Sequence, residues 1–69
     1  MNNAVMGVPI WEKFTLTIGE ASQYFNIGEK KLRRLAEDYP DNGFTLQNGS
    51  KTLIKRKSFE DFLNEASSI

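Results

Sequence analysis

The sequence predicts a small α+β fold of the winged helix-turn-helix type: a short N-terminal strand, two helices, a β-hairpin wing and a C-terminal helix. Three observations predict it. Two helical segments are joined by a turn at Asn26-Ile27-Gly28, Asn48-Gly49 sits between two strand-like runs, and a third helical stripe follows at once. Sixty-nine residues make one domain. Residues 10–69 are assigned to it, and residues 1–9, small, polar and closed by Pro9, to a disordered tail.

Trp11, Phe14 and Leu16 bring apolar bulk alternating with Thr15 and Thr17, which reads as an edge strand with Trp11 against the core. Thr17-Ile18-Gly19-Glu20 is a capping box, with Leu16 and Ala21 at the hydrophobic-staple positions. Ile18, Ala21 and Phe25 then repeat at helical spacing until Asn26-Ile27-Gly28 stops the helix. From Gly28 a second helix places Leu32, Leu35, Ala36 and Tyr39 on one face and Lys30 and Arg34 opposite; Pro40 ends it. Tyr24 and Tyr39 fall at apolar positions and read as core.

Asp41-Asn42-Gly43 is a loop, Phe44–Gln47 a strand, Asn48-Gly49 a type I′ turn and Ser50–Arg56 the returning strand. That turn pairs Phe44 with Leu53 and leaves Ile54 on the wrong face, so a bulge or longer loop is needed to restore it. Ser58-Phe59-Glu60-Asp61 reads as a second capping box, followed by Phe59, Phe62, Leu63 and Ala66 at i, i+3, i+4, i+7 and a helix end near Ser67.

The chain has neither cysteine nor histidine. Disulfides are impossible, the usual zinc ligand sets are missing, and the side chain that titrates near neutrality is absent. No acid–base pair suggests itself, no cofactor motif is present, and enzymatic activity is not expected. The first eleven residues lack the basic start of a signal peptide, and no apolar run reaches the ~20 residues of a membrane span. A soluble, cytoplasmic protein is expected.

Nine basic and nine acidic side chains cancel in total but not in place. Residues 30–57 hold eight bases and three acids, a net +5, and the remainder is −5. Phosphate responds to the local field, because charges beyond roughly 10 Å are screened at cellular salt. The bases form two groups: Lys30, Lys31, Arg33 and Arg34, then Lys51, Lys55, Arg56 and Lys57.

A helix-turn-helix followed by a hairpin sends its second helix into the major groove. Four cations in the first half of that helix oppose its macrodipole, by roughly 0.3–1 kcal/mol each, a placement that folding alone disfavours. Arg33 has Glu29 four residues before it and Glu37 four after, so Arg34 is the better candidate for a guanine contact. The hairpin tip Asn48-Gly49-Ser50-Lys51 suits a minor groove or phosphates. Lys55, Arg56 and Lys57 are expected to add phosphate contacts, and Thr17 marks a helix N-terminus where a phosphate could bind.

Taken together, Ile10-Trp11-Glu12, Phe14 to Ile18, Glu20-Ala21-Ser22, Tyr24-Phe25, Ile27-Gly28-Glu29, Lys31-Leu32-Arg33-Arg34-Leu35-Ala36-Glu37, Asn48-Gly49 and Ile54-Lys55-Arg56-Lys57 strongly resemble the excisionases of conjugative transposons. The likeness runs from about residue 8 onward. It implies a recombination directionality factor that binds and bends the element's ends and helps a tyrosine-recombinase integrase assemble for excision, without breaking bonds itself. By the same resemblance, Lys31, Arg33 and Arg34 are recognition-helix cations, and Asn48, Gly49 and Lys51 the wing. The implied partners are double-stranded DNA, the integrase and further copies of the chain on adjacent sites. The loop Tyr39–Gly43 and the third helix after Phe59 depart from the family pattern.

Two other readings compete. A minimal MerR-like transcriptional regulator would use the same surface, although no dimerising coiled coil follows the domain. An interaction module acting through its third helix would be indifferent to Lys31 and Arg34.

Overall fold

The computed structural model describes residues 8–39, 41 and 43–69. Residues 1–7 of the expected tail, Pro40 and Asn42 lie outside the described residues. A 3₁₀ turn at Ile10–Glu12 leads into strand β1 (Thr15–Thr17), then helices α1 (Ile18–Phe25) and α2 (Glu29–Asp38). Strands β2 (Thr45–Asn48) and β3 (Lys51–Lys55) form the hairpin, and helix α3 (Arg56–Glu65) follows β3 without a loop. The sheet is antiparallel in the order β1-β3-β2, so the chain is a small winged helix-turn-helix.

The first capping box forms as its spacing requires. The Thr17 hydroxyl accepts from the Glu20 amide at 3.1 Å, and the Thr17 amide donates to Glu20 Oε1 at 3.0 Å. Both staple residues, Leu16 and Ala21, are fully buried. Asn26 then enters the left-handed region at φ 58°, which asparagine tolerates, and the Ile27 amide bonds the Ser22 carbonyl at 3.2 Å. This tight ending lets α2 begin three residues later, packed against α1 through Leu32 and Leu35.

The hairpin turns one residue later than the Asn48-Gly49 reading. Asn48 pairs with Lys51, so Gly49 and Ser50 are the central residues. Gly49 has φ 65°, and Asn26 is the one positive-φ non-glycine residue among those described. Positive φ at the first central position alone is the pattern of a type II′ turn, not I′. The energetic reason is Ile54: this register sets it opposite Leu16 and Thr45, facing the core and fully buried. Burying an isoleucine side chain contributes roughly 1.5–3 kcal/mol, more than the choice between two allowed turns. No bulge is needed.

The core holds Leu16, Ile18, Ala21, Leu32, Leu35, Phe44, Ile54 and Phe59. Phe59 sits at its aromatic centre, edge-on to Phe25 and Phe44 with centroids 4.8 Å from each and 5.7 Å from Phe62.

Four further expectations change. Trp11 and Phe14 are outside the core, 62% and 75% exposed, because the 3₁₀ turn packs only Ile10 inward and the strand begins after Phe14. Tyr24 and Tyr39 stay at the rim, where the Tyr24 hydroxyl donates to Glu60 at 2.9 Å and Tyr39 meets Phe62 edge-on at 5.6 Å. Helix α3 starts at Arg56, so Ser58 lies inside it and its capping box does not form. The Arg56 amide instead bonds the Phe14 carbonyl at 3.0 Å, so the strand β3 runs straight into the helix. The same helix ends at Glu65, where the Ala66 amide closes it onto Leu63.

Candidate nucleic-acid interface

Helix α2 buries Leu32 and Leu35, which turns its remaining face to solvent. Lys30, Lys31 and Arg34 together line one shallow depression there, all three exposed. The Lys31 ammonium also donates to the Ile69 carbonyl at 3.1 Å, so the last residues lie against this helix.

Arg33 points elsewhere. It lines a cleft between the helix-turn-helix and the hairpin together with Thr17, Gly19, Ser50, Lys51 and Leu53, with the Glu29 carboxylate close to Gly19 and Arg33. One cation from each basic group is therefore brought to the same place, beside the α1 cap. The Glu29 pairing anticipated for Arg33 is loose, 4.0 Å between well-exposed groups, and such pairs contribute about 0.3–0.5 kcal/mol. Arg33 remains available to a ligand.

A second cleft lies between α2 and the hairpin, lined by Arg33, Ala36, Glu37, Thr45, Gln47 and Thr52. Sequence reading passed over Gln47 and Thr52. In the observed register they are directly opposed, and the Thr52 hydroxyl donates to Gln47 Oε1 at 2.6 Å. Period-two alternation from buried Ile54 places both on the α2 side once the register is known. Glu37, expected only as a helix partner of Arg33, is the acid of this second cleft.

Asn48, Gly49, Ser50 and Lys51 are all exposed at the wing tip. Lys55 is half-buried at the far end of β3, about 13 Å from Lys51 at ~3.3 Å per residue, and cross-strand from Thr15. Lys57 is exposed on α3. Arg56 does not join them. Its side chain is 12% exposed, with Nε donating to the Lys13 carbonyl at 2.9 Å and Nη1 to Glu60 at 3.1 Å. It ties α3 to the segment before β1, a role that a charge run cannot reveal.

Thr17 is committed to its capping box. Glu20 also accepts from Lys13 Nζ at 2.6 Å. Partial burial pushes the Glu20 carboxyl up, but hydrogen bonds from Lys13 and Thr17 and the Lys13 charge outweigh it and hold it below its ordinary value. Glu29 Oε2 lies 3.8 Å from where a Cβ on Gly19 would stand. A phosphate approaching the α1 N-terminus therefore meets a carboxylate as well as the helix end.

A family model described as the excisionase from transposon Tn916 matches residues 1–69, the whole chain. The chain belongs to the Tn916 excisionase family. It is 52% identical over 62 residues to the excisionase from transposon Tn916 of Streptococcus agalactiae serotype V (strain ATCC BAA-611 / 2603 V/R). That match covers 90% of this chain and 92% of the relative. On this fold one α2 cation, Arg33, lies beside the wing's Lys51, while Lys30, Lys31 and Arg34 share a separate depression on α2.

Proposed function

We propose that this excisionase-family chain binds double-stranded DNA at the ends of its element through α2 and the β2–β3 wing, bends it, and promotes integrase-mediated excision. The observation that supports this most is the cleft shared by Arg33 of α2 and Lys51 of the wing. A duplex spanning it would receive α2 in the major groove, with Lys30, Lys31 and Arg34 at bases and phosphates, while Asn48-Gly49-Ser50-Lys51 reached the adjacent minor groove or backbone. Lys55 and Lys57 extend the same positive potential along the wing's far end.

In this reading residues 10–69 act as one winged-helix unit, the partners are DNA, a tyrosine recombinase and further copies of the chain, and the recombinase makes and breaks every phosphodiester bond. The place of action is the cytoplasm. Among the described residues no helix is long and apolar enough to cross a membrane. The test is affinity for an element-end duplex at several salt concentrations, paired with an excision assay containing the integrase. The expected results are a steep negative slope of log K against log[salt] and excision that depends on the chain. A flat slope defeats the DNA reading; tight binding with excision that ignores the chain points to a regulator instead.

A further inference from the structure

Glu37 is an acid on the face of α2 that meets the duplex under the proposed function. Lys30, Arg33, Arg34 and Glu37 follow at i, i+3, i+4 and i+7, and all four are exposed, so they form one outward stripe. Arg33 stands four residues before Glu37, yet its ion pair among the described residues is the loose one to Glu29, and Glu37 has none. A carboxylate in such a stripe repels phosphate wherever the backbone passes. It is favourable there only against a donor.

The cleft between α2 and the hairpin supplies the setting. Arg33, Ala36 and Glu37 line it from the helix, and Thr45, Gln47 and Thr52 from the hairpin. Arg33 and Glu37 are its charged groups among the described residues; Asp38, one residue on, is turned about 100° away around the helix. Arg33 also lines the neighbouring cleft. Its guanidinium therefore divides a side with Lys51, where Glu29 stands near Gly19, from a side with Glu37 and no second cation.

Gln47 brings the complement. The Thr52 hydroxyl lies 2.6 Å from Gln47 Oε1. That separation is usual for O–H···O and short for N–H···O, so the amide turns its oxygen to Thr52. Both amide N–H donors are left without an acceptor among the described residues. One cleft thus holds an acceptor from α2 and an oriented donor from the wing.

We infer that Glu37 and Gln47 read one base pair of the element's end: Glu37 accepts from an exocyclic amino group, and Gln47 donates to the acceptor beside it. This rests on the DNA reading above. In the major groove adenine and cytosine carry an amino group, whereas guanine and thymine present only acceptors. Glu37 favours the first two and repels the second two, so it discriminates by an unfavourable contact as well as a favourable one. Adenine fits best, because its N7 lies beside its own amino group and accepts from Gln47; cytosine lacks that acceptor. Thr52 is a positioning residue that acts through Gln47.

The test is competition binding with element-end duplexes in which each base pair is replaced in turn by the other three. For the parent chain, adenine and cytosine at one position should bind about tenfold tighter than guanine and thymine, as expected for one good base contact. Glu37→Gln, whose amide donates as well as accepts, should bring the four bases there within about twofold, chiefly by strengthening the guanine and thymine duplexes. Thr52→Val, which removes the hydroxyl, should lose the preference for adenine over cytosine and keep the preference for an amino group. Preferences at every other position should match the parent, which also shows that both variants are folded.

A parent with no position that favours amino-bearing bases overturns the proposal. So does a preference that survives Glu37→Gln, a uniform loss at every position, or an adenine preference unmoved by Thr52→Val. If no duplex is bound at all, the DNA reading is what falls. If element ends are bound with sequence preferences that Glu37→Gln leaves in place, the Glu37–Gln47 pair alone falls.

Discussion

Arg33 and Lys51 line the same cleft, one from the second helix and one from the wing. If a phosphate occupies that cleft, each cation contributes to holding it and their effects overlap. Arg33→Ala and Lys51→Ala should each weaken duplex binding and lower the salt slope by about 1, as expected for loss of a single phosphate contact. The double variant should lose less than the two single losses combined, because the second removal acts on a phosphate already loosened. Fluorescence anisotropy over a salt series reads both quantities, and full additivity would place the two cations on separate phosphates.

Arg56 gives the opposite expectation, although it lies between two lysines in the sequence. Arg56→Ala removes donors from the Lys13 carbonyl and from Glu60 in a half-buried setting. The cost in stability should be about 1–3 kcal/mol. Duplex affinity of the folded protein should hardly move. Lys57→Ala, exposed and unpaired among the described residues, should leave the melting curve within about 0.5 kcal/mol and reduce affinity instead. Urea unfolding beside a binding titration separates the two roles.

The contrast between these neighbours marks how far a sequence can be read here. Local signals were legible because their causes are local: the Thr17–Glu20 box, the helix stop at Asn26-Ile27-Gly28 and the apolar face of α2 depend on residues within a turn or two. The wing's register was not, because the Asn-Gly pair permits two turns and the decision comes from Ile54 meeting Leu16 across the sheet. Arg56 was misjudged for the same reason. Glu60 is four residues on, but its other partners, Lys13 and Phe14, are distant in sequence and meet it only once β1 pairs with β3. Trp11 shows the limit of composition: an isolated tryptophan suggests core, and only the 3₁₀ turn reveals that Ile10 takes the inward position.

Phe59 should be the most sensitive single position for folding. It is fully buried and packs on Phe25, Phe44 and Phe62. Phe59→Ala should cost about 3–5 kcal/mol, a large part of what a domain this small can hold in reserve. Phe14→Ala should change stability by no more than about 0.5 kcal/mol, since its ring is mostly in water. Thermal melts of the two variants provide the comparison, and a large loss at Phe14 would mean that its ring is packed in solution.

Glu20 links the fold to pH. Its carboxylate completes the Thr17 capping box and pairs with Lys13, and its pKa is lowered in the folded chain by those contacts. A group whose pKa falls on folding contributes stability that is complete above its unfolded value and is lost as the pH drops through the folded one. For glutamate the loss therefore begins below about pH 4.3. Glu20→Gln should lower stability at neutral pH, because the Lys13 ion pair goes with the charge. It should also flatten the decline on the acid side, since the titrating group has been removed. Urea midpoints between neutral pH and pH ~3 test both parts. A variant that is as stable as the parent at neutral pH, or whose acid-side loss is just as steep, would assign the pH dependence to other carboxylates.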